Sequence, residues 1–123
     1  MTVSTLLDAA ARAFAMVSLA DGNLSSSEEH RFARFAARDE ALKAAKLPDV
    51  RSAWLHAVKD VQASPSFGAP LITIRTEITS NADKAAVMRA AQAAAVADGK
   101  LELQENVALR TLAEALGLDP EEY

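Results

Sequence analysis

The sequence predicts an all-α protein, a compact bundle of about six helices. Three observations carry that prediction. Half of the residues are apolar while aromatics make up only 5%, and the abundant alanine that remains suits closely packed helices. Apolar residues recur at steps of three and four along most of the chain. The one segment that also alternates like a strand has no second strand to pair with, and a lone strand is not stable.

The elements follow in order. From Ser4 to Leu19, the residues Val3, Leu7, Ala10, Phe14 and Val17 form the apolar stripe of an amphipathic helix, ended by Asp21-Gly22. Ser25-Ser26-Ser27-Glu28 reads as a capping box, with Ser25 bonding the backbone N–H of Glu28 and Glu28 reaching back. A second helix follows, with Phe32, Phe35 and Ala36 inward and Arg31, Arg34 and Arg38 outward. Asp39 to Lys46 either continues it or forms a short separate piece. Leu47-Pro48-Asp49 is a break, because the residue before proline avoids the α region. Val50, Trp54, Ala57, Val58 and Val61 line a third helix, and Ala63-Ser64-Pro65-Ser66 is a turn.

Phe67, Leu71, Ile74 and Ile78 fit a fourth helix, although Ile72, Ile74, Thr76 and Ile78 alternate as a strand would; the missing partner decides for the helix. Asn81 is the expected N-cap of a fifth helix lined by Val87, Ala91 and Ala94 and running to Ala97. After Asp98-Gly99, a sixth helix carries Leu109, Leu112 and Leu116 and stops at Gly117. Asp119-Pro120-Glu121-Glu122 has the form of a cap and a first turn.

Composition narrows the function. The 123 residues suffice for a single domain, 1–123, with its own core. A net charge of −4 and a pI near 5.1 argue against a nucleic-acid partner. The absence of cysteine excludes disulfides, thiolate zinc sites and a cysteine nucleophile. No apolar run approaches a transmembrane length, and Asp8 and Arg12 interrupt what a secretory signal would keep apolar, so the expected compartment is the cytoplasm.

One pattern occurs twice. Ala20-Asp21-Gly22-Asn23-Leu24 followed by Glu28 matches Ala97-Asp98-Gly99-Lys100-Leu101 followed by Glu105, each position 77 residues after its counterpart. Glycine permits the positive φ of a sharp bend. Each bend is therefore flanked by an Asp and a Glu, with Leu24 or Leu101 turned to the core. If the two bends meet, Asp21, Glu28, Asp98 and Glu105 converge, and four carboxylates have little reason to do so without a cation.

The nearest known chemistry is the EF-hand calcium loop, which also places Glu six residues after a central glycine. That loop needs oxygen ligands five and three residues before the glycine. Here those positions are Val17 and Leu19 in one copy and Ala94 and Val96 in the other, so neither copy binds calcium as an EF-hand does. Half a ligand set per copy makes sense if the halves share a site. Hard oxygen donors favour calcium, magnesium or manganese over copper, and zinc also accepts carboxylates.

Enzymatic signatures are missing. No Glu-x-x-His precedes His30 or His56, and there is no His-Glu-x-x-His, glycine-rich phosphate loop or nucleophile elbow. Simpler roles also fit the residues. Asp21 and Asp98 are ordinary turn residues, Glu28 a capping partner, and Glu105 a first-turn acid that suits the helix dipole. Glu29 and Glu102 are neighbours able to join such a site but read first as solvated, His30 and His56 as ordinary surface or core histidines, and Trp54 as core. Arg31, Arg34 and Arg38 form a basic stripe, either a solvated face or a surface for an anionic lipid or an acidic partner.

Two Ala-Asp-Gly-x-Leu-x-x-x-Glu turns in a small alanine-rich helical sequence resemble the tellurite-resistance protein TerB family, including the related domain of DjlA-type co-chaperones. The likeness runs from the first helix to Leu116-Gly117-Leu118. It implies an all-helical bundle with an internal pseudo-twofold repeat. It also implies a divalent metal site, which carried over residue by residue is Asp21, Glu28, Asp98 and Glu105. The resemblance further implies a non-enzymatic role in the bacterial tellurite-resistance and stress-response set, alongside protein partners at the inner face of the membrane. The chain is shorter than the fuller members, and its second copy lacks the serine-rich cap. The alternative is a metal-free helical scaffold or adaptor whose acidic turns only cap helices.

Overall fold

The computed structural model describes the backbone of residues 3–19, 26–64, 68–96 and 103–118, and the side chains of 5–19, 27–64, 68–95 and 107–118. Within these lie α1 (Val3–Leu19), α2 (Ser26–Arg38), α3 (Leu47–Gln62), α4 (Gly68–Glu77), α5 (Asn81–Val96) and α6 (Leu103–Ala115). The described residues contain no strand, so the protein is all-α as composition and periodicity predict.

The first helix departs from its predicted role. The stripe of Leu7, Ala10, Phe14 and Val17 is buried, but so are Ala9, Ala11, Ala13, Ala15 and Met16 on its other faces. A helix buried round most of its circumference belongs inside a protein. Thr5, Asp8 and Arg12 keep one narrow stripe partly exposed, and α1 touches every other helix, packing most extensively on α5 and α3. Its alanines allow this, because small side chains let neighbouring backbones approach from several directions. Around it one contiguous core gathers Phe32, Trp54, Ile74, Val87, Met88 and Leu112.

The ambiguous fourth segment is helical. Ile74 and Ile78 are buried whereas Ile72 is 59% exposed, which is the outcome of a step of four and not of alternation. Three boundaries shift for local reasons. The break before α3 falls at Lys46, whose backbone is extended, and Pro48 sits in the first turn, where its missing N–H costs nothing. The cap of α5 is Ser80 rather than Asn81: its Oγ accepts the Asp83 N–H at 3.2 Å, three residues on. Asp39 to Ala45 does not prolong α2. It folds into turns in which the Asp39 side chain accepts the Ala41 N–H at 3.0 Å and Leu42 is buried.

Gly117 ends the sixth helix as predicted, with φ +74°. The Leu118 N–H bonds the Ala113 carbonyl and the Gly117 N–H bonds the Glu114 carbonyl, the paired bonds of a Schellman cap. Among the described residues, chain neighbours aside, no atom lies within 4 Å of where a Cβ would stand, so the penalty there is conformational and not steric crowding. Gly117→Ala is therefore expected to cost about 1 kcal/mol, read as a lower urea midpoint at unchanged slope.

Candidate functional site

Two ties orient the helices around the doubled motif. Ser18, in the last turn of α1, donates its hydroxyl to Glu28 Oε2 at 3.1 Å in the first turn of α2. Further along, the Phe14 and Phe32 rings meet edge-on with centroids 5.5 Å apart. The pairs 18/28 and 14/32 run α2 antiparallel to α1.

At the other end of α2, Asp39 takes Arg89 from the middle of α5, Nε to Oδ1 at 2.7 Å and a second guanidinium nitrogen to Oδ2 at 3.1 Å. Ala93, one turn beyond Arg89, lines the same groove as Arg31 and Phe35 of α2. The opposite sense for α5 would carry Ala93 past the end of α2, roughly 18 Å along the axis from Arg31 at 1.5 Å per residue. So α5 is antiparallel to α2 and parallel to α1. The two helices that precede the acidic motifs thus both end toward the start of α2, where Glu28 stands.

Of the four predicted ligands, only Glu28 has a described side chain. Its carboxylate is largely sheltered, 12% exposed, with Oε1 paired to Arg31 at 3.1 Å and Oε2 to Ser18. Asp21 and Asp98 lie outside the described residues, as do Gly22, Leu24, Ser25, Gly99, Leu101 and Glu102, and with them the predicted bends and capping box. Glu105 lies within α6, but its side chain is outside the described set. Among the described residues, no three His, Asp or Glu side chains stand close enough to hold a metal ion. Glu29 is not simply solvated: its Oε1 lies 3.6 Å from Arg51 Nε and links α2 to α3. His30 and His56 are exposed, and Trp54 is core, stacked on Phe32.

The sequence reading missed a pair of arginines. The 77-residue offset of the bends extends backward to join Arg12 and Arg89. Each is tied to an aspartate of another part of the fold: Arg12 to Asp60 of α3 at 3.0 Å, Arg89 to Asp39. The extended match was available as a signal; the aspartate partners, 48 and 50 residues away, were not. Burial by itself would raise the pKa of Asp39, but the Arg89 hydrogen bonds, the Ala41 N–H and the guanidinium charge outweigh it and hold that pKa below the ordinary 3.8.

The family model described as "Tellurite resistance protein TerB" matches residues 7–123, essentially the whole chain. The chain belongs to the TerB family. No curated protein and no solved structure matches it. Its six described helices are those of a TerB-like helical domain. Among the described residues of this TerB-family chain, no helix is long and apolar enough to cross a membrane.

Proposed function

We propose that this TerB-family chain is a non-enzymatic, divalent-metal-binding interaction module of the bacterial stress response, working in the cytoplasm with protein partners near the inner membrane face. The observation that supports it best is the common direction of α1 and α5, which end toward Glu28. Asp21 and Asp98 follow those helices by a few residues, so both would approach Glu28, with Glu105 completing the set from α6. The donors are all hard oxygens, which fits calcium, magnesium, manganese or zinc. A divalent cation held there supplies the positive charge that lets the acidic groups sit together. Asp21 and Asp98 would then fix the relative pose of α1 and α5, and Glu28 that of α2.

Glu28 also supports the competing reading of a metal-free scaffold, since Ser18 and Arg31 already satisfy both its oxygens. The two readings separate in a thermal melt. A cation at a hundred times its Kd is expected to stabilise the fold by about 2.7 kcal/mol, or about 10 °C for a domain of this size, and EDTA should reverse the gain. Asp21→Asn and Asp98→Asn should each abolish the shift if one site is shared. Loss in only one of them would rule out sharing; no response to any of the four cations would leave the scaffold.

A further inference from the structure

Arg31, Arg34 and Arg38 project from one face of α2 into an open groove of about 490 Å³ between α2 and α5. Phe35 and Ala93 give it a partly exposed apolar floor, with the buried Phe14 beneath. The predicted basic stripe is therefore the rim of a concavity and not a flat solvated face. Like charges three and four residues apart on a helix repel, each pair destabilising it by a few tenths of a kcal/mol. The repulsion stands out in a chain whose net charge is −4.

Among the described residues the acids do not cancel it: Asp39, in the groove wall, is taken by Arg89, and of the three arginines Arg31 alone has an ion-pair partner there, Glu28. Arg34 and Arg38 are exposed and make no ion pair among the described residues. Arginine grips a carboxylate through two parallel N–H bonds, so the rim offers oriented sites and not merely positive potential.

We propose that this groove docks an acidic amphipathic helix of a partner protein. The span from Arg31 to Arg38 is about 10 Å at the helical rise, the reach of carboxylates at i, i+3 or i+4, and i+7 on a second helix. An apolar side chain between them would settle on the partly exposed Phe35 and Ala93. A membrane plane would touch the rim and leave that floor uncovered, and the negative net charge opposes an anionic surface or nucleic acid over any larger contact. The proposal rests on the reading of the chain as an interaction module, but not on the metal.

The test uses the full chain and a fluorescein-labelled synthetic helical peptide with glutamates at that spacing around leucines, followed by fluorescence anisotropy. Controls are a shuffled peptide of the same composition and phosphatidylserine vesicles. Arg34→Glu and Arg38→Glu are each expected to weaken peptide binding about tenfold or more. Arg34→Lys should weaken it severalfold, because lysine lacks the fork. Arg110→Glu, exposed on α6 and outside the groove, should leave it unchanged. Surface changes of this kind move stability by about 0.5 kcal/mol or less, so a preserved melting temperature certifies the variants.

Equal binding of the shuffled peptide, or arginine-dependent binding to vesicles without binding to the peptide, would overturn the proposal. So would no binding at all. Peptide binding that survives EDTA while no cation shifts the melt would remove the metal reading alone; the converse pattern would remove this one alone.

Discussion

Phe14→Ala is expected to destabilise the protein by about 4 kcal/mol, lowering the melting temperature by about 15 °C. Phe14 is 1% exposed and lies in the helix that every other helix touches. It meets Phe32 edge-on at 5.5 Å and Trp54 edge-on at 5.7 Å, while Phe32 and Trp54 stack on each other. Truncation removes the transfer energy of a whole ring, leaves a cavity, and strips both partners of an aromatic contact worth about 1 kcal/mol apiece. Against a typical stability of about 5–15 kcal/mol, that is a large fraction. Leucine at this position fills most of the volume and should cost about 1.5 kcal/mol. Urea and thermal denaturation followed by circular dichroism measure both. A loss for alanine no greater than that for leucine would mean the three rings are not the centre of the core.

The importance of Phe14 could be only half read from the sequence. Its place on an apolar stripe was visible in the step of four from Ala10 and three to Val17. That α1 is buried on all but one narrow stripe was not, because Ala9, Ala11, Ala13 and Ala15 look neutral beside the larger apolar residues. Alanine marks a face that a neighbour can approach, and only the placement of the neighbours decides whether one does. In the fourth helix, local pattern and topology agreed once the strand lacked a partner, and the exposed Ile72, two residues before buried Ile74, bears that out. Asn81 and Ser80 are adjacent residues of similar capping strength, so one position was beyond what propensity resolves.

The same division applies to the candidate site. Its acidic residues are legible because the motif is local and repeated. The Ser18 hydroxyl that meets Glu28 is ten residues from it along the chain, and the groove needs α5 to supply a wall to α2. Neither relation has a period in the sequence. The basic stripe showed which residues would be arginine, while its concavity comes from packing against Phe14 and Ala93.

The pair that sets α5 against α2 gives the second large effect, and its sign depends on pH. Asp39 has a side chain only 4% exposed and is held by Arg89 at 2.7 Å. Asp39→Ala removes the two charge-assisted bonds and the acceptor for the Ala41 N–H, and is expected to cost about 3 kcal/mol at neutral pH. Asp39→Asn keeps an oxygen for Ala41 and should cost about 2 kcal/mol. The folded carboxyl titrates below its ordinary 3.8. Its contribution is therefore fully present above the unfolded value, about 3.9, and is lost as the pH falls through the folded one. The gap between wild type and Asp39→Asn should close over that acid range and stay constant from pH 5 to 8. Arg89→Ala reverses the balance: burial is the largest single influence on Asp39, and with the guanidinium gone it pushes the carboxyl pKa upward. In that variant the Asp39 contribution should improve as the pH falls from 6 to 4, where wild type shows none of this gain. Parallel stability curves for wild type and Arg89→Ala through that range would show that the ion pair does not carry the contact between α2 and α5.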